Sequence, residues 1–145
     1  MKKIVDFMTI SSIFIVLIVA CQSPSALEET EIKFMNENEI HKTGVFHTYE
    51  VALIDKEGEN ISADQVFLYM NMERMNHPMT GTMEEKDKGK FALDLPLAME
   101  GEWYAEVTVE IDGQEKTERF VLFAEGEMSE DYIRGYDADI DRVPE

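Results

Sequence analysis

The chain has 145 residues, of which 31 are acidic and 13 basic, giving a formal net charge of −18. Because an acidic surface repels phosphate backbones and anionic headgroups, we expect neither nucleic acid nor an anionic lipid surface as a ligand. The length provides for one small folded domain, and the single cysteine excludes an intramolecular disulfide.

The N-terminus has the features of a secretory signal. Lys2 and Lys3 precede an apolar run, ISSIFIVLIVA, that ends directly before Cys21. A basic start, a short apolar run and small residues at its end are typical of a signal peptide. The run is too short and too polar at its start to favour a transmembrane helix. The ending IVAC resembles the lipobox of bacterial lipoproteins, which implies cleavage before Cys21 and lipidation of its sulfur. A retained membrane anchor is the alternative.

Either reading places the rest of the chain on the extracytoplasmic face of the cell membrane, and in the first reading lipidated Cys21 is its contact with the bilayer. We divide the chain into a signal peptide (1–20), a flexible tether (21–31), a folded domain (32–124) and an acidic tail (125–145). The tether is polar and contains proline and serine, which favours a flexible linker. The tail has too few aliphatic residues to offset the entropy of ordering, so we expect it to be disordered.

The domain contains short segments in which apolar and polar residues alternate. The clearest strand is residues 103–111, and Asp112-Gly113 then provides a favoured two-residue hairpin turn. Strands at short, regular spacing without an amphipathic helix predict an all-β protein, an immunoglobulin-like antiparallel β-sandwich of about seven strands. The expected core includes Val51, Leu53, Phe91, Trp103, Val107 and Ile111. The other predicted strands include residues 45–53, 66–72, 91–95 and 115–123.

One segment, MNMERMNHPMTGTM, contains five of the ten methionines. If it is extended, Met75, His77, Met79 and Met83 project to one face, and Pro78 favours an extended conformation at the residue before it. Thioethers with one imidazole form a soft ligand set that suits copper, above all Cu(I), and poorly suits magnesium or calcium. The candidate metal ligands are Met70, Met72, Met75, His77, Met79 and Met83.

Two other interpretations of this segment remain open. Methionine fills irregular cores, and Met70 continues the alternation of Val66 and Leu68, so these side chains can serve as packing. A methionine-rich patch can also dock a partner protein. Of the remaining histidines, His47 lies on the apolar side of its strand and is expected to be structural, whereas His41 lies in a polar loop and carries no signal.

Several short motifs follow one another in an order that is more specific than any of them alone. Between residues 44 and 123 these are a D-x-x-G turn (55–58), ADQV (63–66), the Met/His segment with Met75, His77 and Met79, GKF (89–91), a Leu-x-Leu pair (93–95) and G-x-W (101–103). This order resembles the YtkA-like, or FixH-like, extracytoplasmic domain. The resemblance implies a small β-sandwich with a role in copper handling, including supply to an acceptor such as a respiratory oxidase. The lipobox and the acidic tail depart from the family pattern.

We do not expect an enzyme. The sequence lacks a G-x-S-x-G elbow, an H-E-x-x-H motif and a glycine-rich phosphate loop, and lipidation would consume its one thiol. The leading hypothesis is a lipid-anchored copper-binding or metallochaperone module. The alternative is a non-catalytic docking or assembly domain without metal, and a third reading is a surface lipoprotein without any ligand.

Overall fold

The structure, a computed structural model, describes residues 25–143. The predicted signal peptide and Cys21 lie outside these residues. Across the described part of the chain, no helix is both long enough and apolar enough to cross a bilayer.

Two β-sheets face each other across one hydrophobic core. One sheet has the strand order β1-β3-β7-β6, and the other has the order β10-β5-β4-β8-β9-β2. This arrangement confirms the predicted all-β sandwich. The strands are β1 (Glu31–Phe34), β2 (Ile40–Lys42), β3 (Phe46–Ile54), β4 (Gln65–Asn71), β5 (Met79–Thr82), β6 (Glu84–Asp87), β7 (Lys90–Pro96), β8 (Gly101–Ile111), β9 (Gln114–Glu125) and β10 (Tyr136–Asp137), and a short 3₁₀ helix covers Glu130–Tyr132.

The long hairpin of β8 and β9 lies in the larger sheet between β4 and the edge strand β2. Asp112 and Gly113 connect the two strands with φ of 52° and 74°, the left-handed values that a tight two-residue turn requires. The pairing of Ile111 with Gln114 directly beside the turn confirms the predicted hairpin. In β8, alternate residues are buried from Trp103 to Val109, as expected of a strand with one wet face.

The core confirms most of the predicted list. Val51, Leu53, Phe91, Trp103 and Val107 are buried, whereas Ile111 at the end of β8 is only half-buried. The structure has ten strands within residues 25–143, against about seven expected. Pairing is antiparallel except at two edges, where β2 runs parallel to β9 and β10 runs parallel to β5.

Both predicted flexible segments need correction where the structure describes them. In the predicted tether, residues 26–29 form a turn that buries Leu27, and β1 already begins at Glu31. In the predicted tail, residues 129–142 fold back onto the sandwich and add β10 to the larger sheet. The aromatic rings of Tyr132 and Tyr136 pack against Phe46 of β3, with centroids 5.7 and 5.3 Å from it. Composition missed this contact because a few well-placed aromatic residues offset the ordering cost of an acidic segment.

Candidate functional site

The methionine-rich segment is only partly extended. Residues 73–75 form bends between β4 and β5, and the extended conformation begins again at Met79. As a result, Met75 is 46% exposed, whereas His77 and Met79 are buried. The shared face expected from odd-numbered spacing therefore does not extend to Met75.

Asn71, at the end of β4, organises this loop. Its side-chain Oδ1 accepts the backbone N–H of Met72 at 2.9 Å and that of His77 at 2.8 Å. Its Nδ2 donates to Tyr69 Oη at 2.8 Å and to Asn76 Oδ1 at 3.1 Å. The buried side-chain amide of Asn71 thus joins the two ends of the loop, and it fixes the position of the His77 backbone.

The structure brings some of the predicted thioethers together and separates another. Met70 and Met79 are direct partners across β4 and β5, and both side chains are fully buried. Met72 is half-buried, and its methyl carbon packs against Gly101, 2.8 Å from where a Cβ would lie. Met83 is also buried, but it follows Met79 by four residues of extended chain, roughly 13 Å, which is too far to share one ion.

The imidazole of His77 is held from one side only. Its Nδ1 lies 2.5 Å from the carbonyl oxygen of Ile133. Because a carbonyl can only accept, Nδ1 carries the proton, and in the neutral ring the lone pair is then on Nε2. That Nε2 is buried and finds no hydrogen-bond partner within residues 25–143. The ring packs beside Trp103, with centroids 6.5 Å apart.

The hydrogen bond at Nδ1 leaves the second ring nitrogen of His77 unused. A metal-binding histidine commonly donates its second N–H to a carbonyl, which fixes the tautomer and leaves the other nitrogen for the metal. Nε2 of His77 is such a nitrogen. Met72 directly follows β4 and Met79 begins β5, so both residues lie at the same end of this strand pair. No group of three or more His, Cys, Asp or Glu residues suited to a metal is present in the described chain. The ligand set predicted from the sequence is of another kind, because it combines one imidazole with thioethers.

A contact between two other histidines, His41 and His47, was not anticipated from the sequence. His41 lies on β2 rather than in a loop and is buried, with its ring centroid 4.8 Å from that of His47 and 5.2 Å from that of Tyr49. His47 is half-buried, and its Nε2 contacts the carbonyl oxygen of Lys42 at 2.7 Å. Burial lowers the pKa of His41, His47 lowers it further, and the Glu39 carboxylate opposes both effects. Burial also raises the pKa of Tyr49.

A groove of about 680 Å³ lies on the outer face of the smaller sheet. Phe46 and Asp94 belong to its lining on the sheet side, and Tyr136 and Asp141 close it from the C-terminal segment. Tyr136 donates a hydrogen bond to Asp141, and this bond together with burial raises the pKa of Tyr136 to about 12. The C-terminal segment therefore borders the groove and also contacts His77 through Ile133.

Comparison with known proteins places the chain in no family. No family model matches it, and no curated protein does. Among solved structures it is similar to part of a mutant Salmonella alpha-2-macroglobulin, with a TM-score of 0.51 and 17% identity over 75% of this chain and 7% of that protein. It is also similar to domains 4 and 5 of the S-layer protein SbsC, with a TM-score of 0.46 and 13% identity over 66% of this chain and 51% of that one. The Lin-41 filamin domain gives a TM-score of 0.45 and 18% identity, covering 72% and 98% of the two chains.

The chain thus spans about half of the S-layer structure and a small part of alpha-2-macroglobulin. At 17% identity, the alpha-2-macroglobulin match shows a shared fold alone. Ligands and activity have to be argued from the residues of this chain.

Proposed function

We propose that the protein is a lipid-anchored, extracytoplasmic copper-binding module. In this proposal Nε2 of His77 and the thioethers of Met72 and Met79 hold Cu(I). Met70, the cross-strand partner of Met79, is a further candidate ligand. The observation that carries the proposal is the buried Nε2 of His77, which has no partner within the described chain, whereas its Nδ1 is fixed by a carbonyl. A buried polar atom without a partner lowers the stability of the fold, and a metal bound to that atom would offset this loss.

The ligand types support copper over other ions. Thioether and imidazole donors are soft or borderline, so they favour Cu(I) and disfavour magnesium and calcium, which prefer oxygen. Thioethers also avoid the disulfide coupling to which thiols are prone outside the cytoplasm. The resemblance to YtkA-like and FixH-like domains stays a prediction and points in the same direction.

The exposure of the methionines suggests how copper would be exchanged. Met75 is exposed on the loop, Met72 is half-buried, and Met79 is fully buried. In our proposal Met75 makes the first contact with the ion, and His77 with Met72 and Met79 then holds it. Transfer would proceed by displacement, in which the ligands of an acceptor protein replace these ligands one at a time.

The test is a Cu(I) competition titration against a chromophoric chelator, with the full-length chain in detergent. Cys21→Ser is introduced in every sample, because a free thiol would itself bind Cu(I). Met79→Leu conserves volume and removes the sulfur. We expect it, like His77→Gln, to weaken Cu(I) binding by at least about tenfold.

Met83→Leu is the matched control, because Met83 is also a buried methionine and lies outside the proposed site. It should leave the affinity unchanged. If Met79→Leu and Met83→Leu both compete with the chelator for Cu(I) as well as the unsubstituted chain does, these methionines are packing residues and the copper proposal is wrong. Circular dichroism of each variant establishes that it is folded.

A further inference from the structure

The predicted metal segment has a partner in the C-terminal segment, residues 129–142, which we call the strap. The strap includes the 3₁₀ helix and β10, and it runs beside β5. Ile133 of the strap supplies the carbonyl that accepts the Nδ1–H of His77 at 2.5 Å. The protonation pattern of the imidazole therefore depends on a segment more than fifty residues away in the chain.

Other contacts hold the strap in place independently of His77. The backbone N–H of Tyr136 donates to the carbonyl of Pro78 at 2.8 Å, and that of Ala138 donates to Thr80 at 2.9 Å. The carboxylate of Asp139 accepts both the backbone N–H and the hydroxyl of Thr82, at 2.8 and 2.9 Å. These bonds align the strap along the strand that begins with Met79.

Gly135 is a second point at which the strap lies very close to the metal segment. Its φ is +100°, and a Cβ at this position would lie 2.3 Å from the carbonyl oxygen of Pro78. Any other residue would have to push the strap away from Pro78, which directly follows His77. The close contact therefore needs glycine for its backbone conformation and for space.

The strap is also the kind of element that opens locally. β10 has two residues, pairs at the edge of the sheet and does so in parallel. Ile133 and Tyr132 are half-buried, and most of the other residues of the strap are half-buried or exposed. Short edge elements with few buried contacts open with much less free energy than central strands do.

We propose that the strap regulates the copper site by setting the tautomer of His77. When the strap is closed, Ile133 holds the proton on Nδ1, and Nε2 presents its lone pair to the metal. When the strap opens, His77 loses that partner, both tautomers become accessible, and the ion is released to an acceptor. This inference rests on the proposed copper function and adds the control of binding and release.

The experiment compares two glycine variants of the full-length Cys21→Ser chain. Gly135→Ala displaces the strap without changing a ligand. Gly113→Ala is the matched control, because Gly113 also has a positive φ of 74° but no atom within 4 Å of its Cβ position. Long-range ¹H–¹⁵N NMR of the imidazole reports the tautomer without copper, and a chelator competition reports the Cu(I) affinity.

We expect His77 in the unsubstituted chain and in Gly113→Ala to be in the Nδ1–H form. In Gly135→Ala the ¹⁵N chemical shifts of Nδ1 and Nε2 should become more alike, because both tautomers are then populated. The Cu(I) affinity should fall by about tenfold or more, as for loss of a contact that orients a ligand. An unchanged tautomer in Gly135→Ala overturns the inference. Failure of the unsubstituted chain to bind Cu(I) refutes the copper function, and the tautomer comparison still decides whether the strap controls His77.

If Gly135→Ala does not fold, hydrogen exchange on the unsubstituted chain provides the test. The amides of Tyr136 and Ala138 should exchange faster than the central amides of β8, because the strap opens locally. Added Cu(I) should slow their exchange, since binding at Nε2 favours the closed strap. Exchange of these two amides that does not respond to bound Cu(I) contradicts the inference.

Discussion

Nδ1 of His77 lies 2.5 Å from the carbonyl oxygen of Ile133, although 56 residues separate the two in the chain. This contact joins a segment that was predicted to bind metal to one that was predicted to be disordered. It leaves Nε2 of His77 buried and without a hydrogen-bond partner in the described chain, a state that Nε2 of His41 shares. The proposed function depends on what Nε2 of His77 binds.

Trp103 should dominate the stability of the core. Its side chain is fully buried, and its indole Nε1 donates to the carbonyl of Met99 at 3.1 Å. Trp103→Ala should therefore reduce the free energy of unfolding by about 3–5 kcal/mol, measured by urea denaturation. A loss below about 1 kcal/mol, far less than removal of a buried aromatic side chain ordinarily costs, would mean that the core does not depend on this ring.

Asn71→Ala should destabilise the loop that carries His77. The substitution leaves the buried N–H of His77 without an acceptor, which costs about 1–3 kcal/mol in unfolding free energy. Asn76→Ala is the control, because it removes only one hydrogen bond at an exposed side chain. Equal losses for the two variants would show that Asn71 does not organise the loop.

His41 should make stability depend on pH. Its pKa in the folded protein is lower than its ordinary value of 6.5, mainly through burial and also through His47. The unfolded chain therefore binds the proton more readily, and stability should fall as the pH decreases from about 6.5 toward the lowered pKa.

His41→Gln should show a smaller decrease in stability over the same pH range, because it removes the imidazole whose pKa is lowered. Glu39, His47 and Tyr49 remain in place, so the surroundings of the site stay comparable. Urea denaturation of both proteins at several pH values between about 7.5 and 5 checks this, since that range brackets the ordinary histidine pKa. An identical pH dependence of the two proteins would show that His41 is not responsible.

Cys21 lies outside the described residues, and its lipidation is a prediction from the sequence. Cys21→Ser in cells should give an unprocessed or soluble product, because the thioether to lipid cannot form. Fractionation followed by mass spectrometry of the N-terminus measures the result. Normal processing with full membrane retention would refute the lipid anchor.

The sequence predicted the parts of the fold that depend on local patterns. The alternation from Trp103 to Ile111 and the Asp112-Gly113 turn each involve neighbouring residues, so the central hairpin could be identified correctly. The sandwich followed from the number and spacing of such strands.

The sequence did not predict contacts that depend on distant pairing. β10 has two residues and forms only because Tyr136 can pair beside Met79 and pack against Phe46. In the same way, His41 and His47 come together because β2 pairs with β9, which no local pattern signals.

The candidate site was predicted in part. The residue types of the metal segment indicated soft ligands, but the bends at residues 73–75 separate Met75 from the buried residues. The role of Asn71 follows from four hydrogen bonds that form only in the folded loop. The carbonyl of Ile133 belongs to the backbone, so no residue type could have signalled it.

The most direct measurement follows the three imidazoles by long-range ¹H–¹⁵N NMR while Cu(I) is added to the full-length Cys21→Ser chain. Binding at His77 should move the ¹⁵N chemical shift of Nε2 away from that of an unprotonated, unbound ring nitrogen. The ¹⁵N chemical shifts of His41 and His47 should not change. An unchanged His77 resonance at saturating Cu(I), or a shift confined to His41 and His47, would contradict the proposed site.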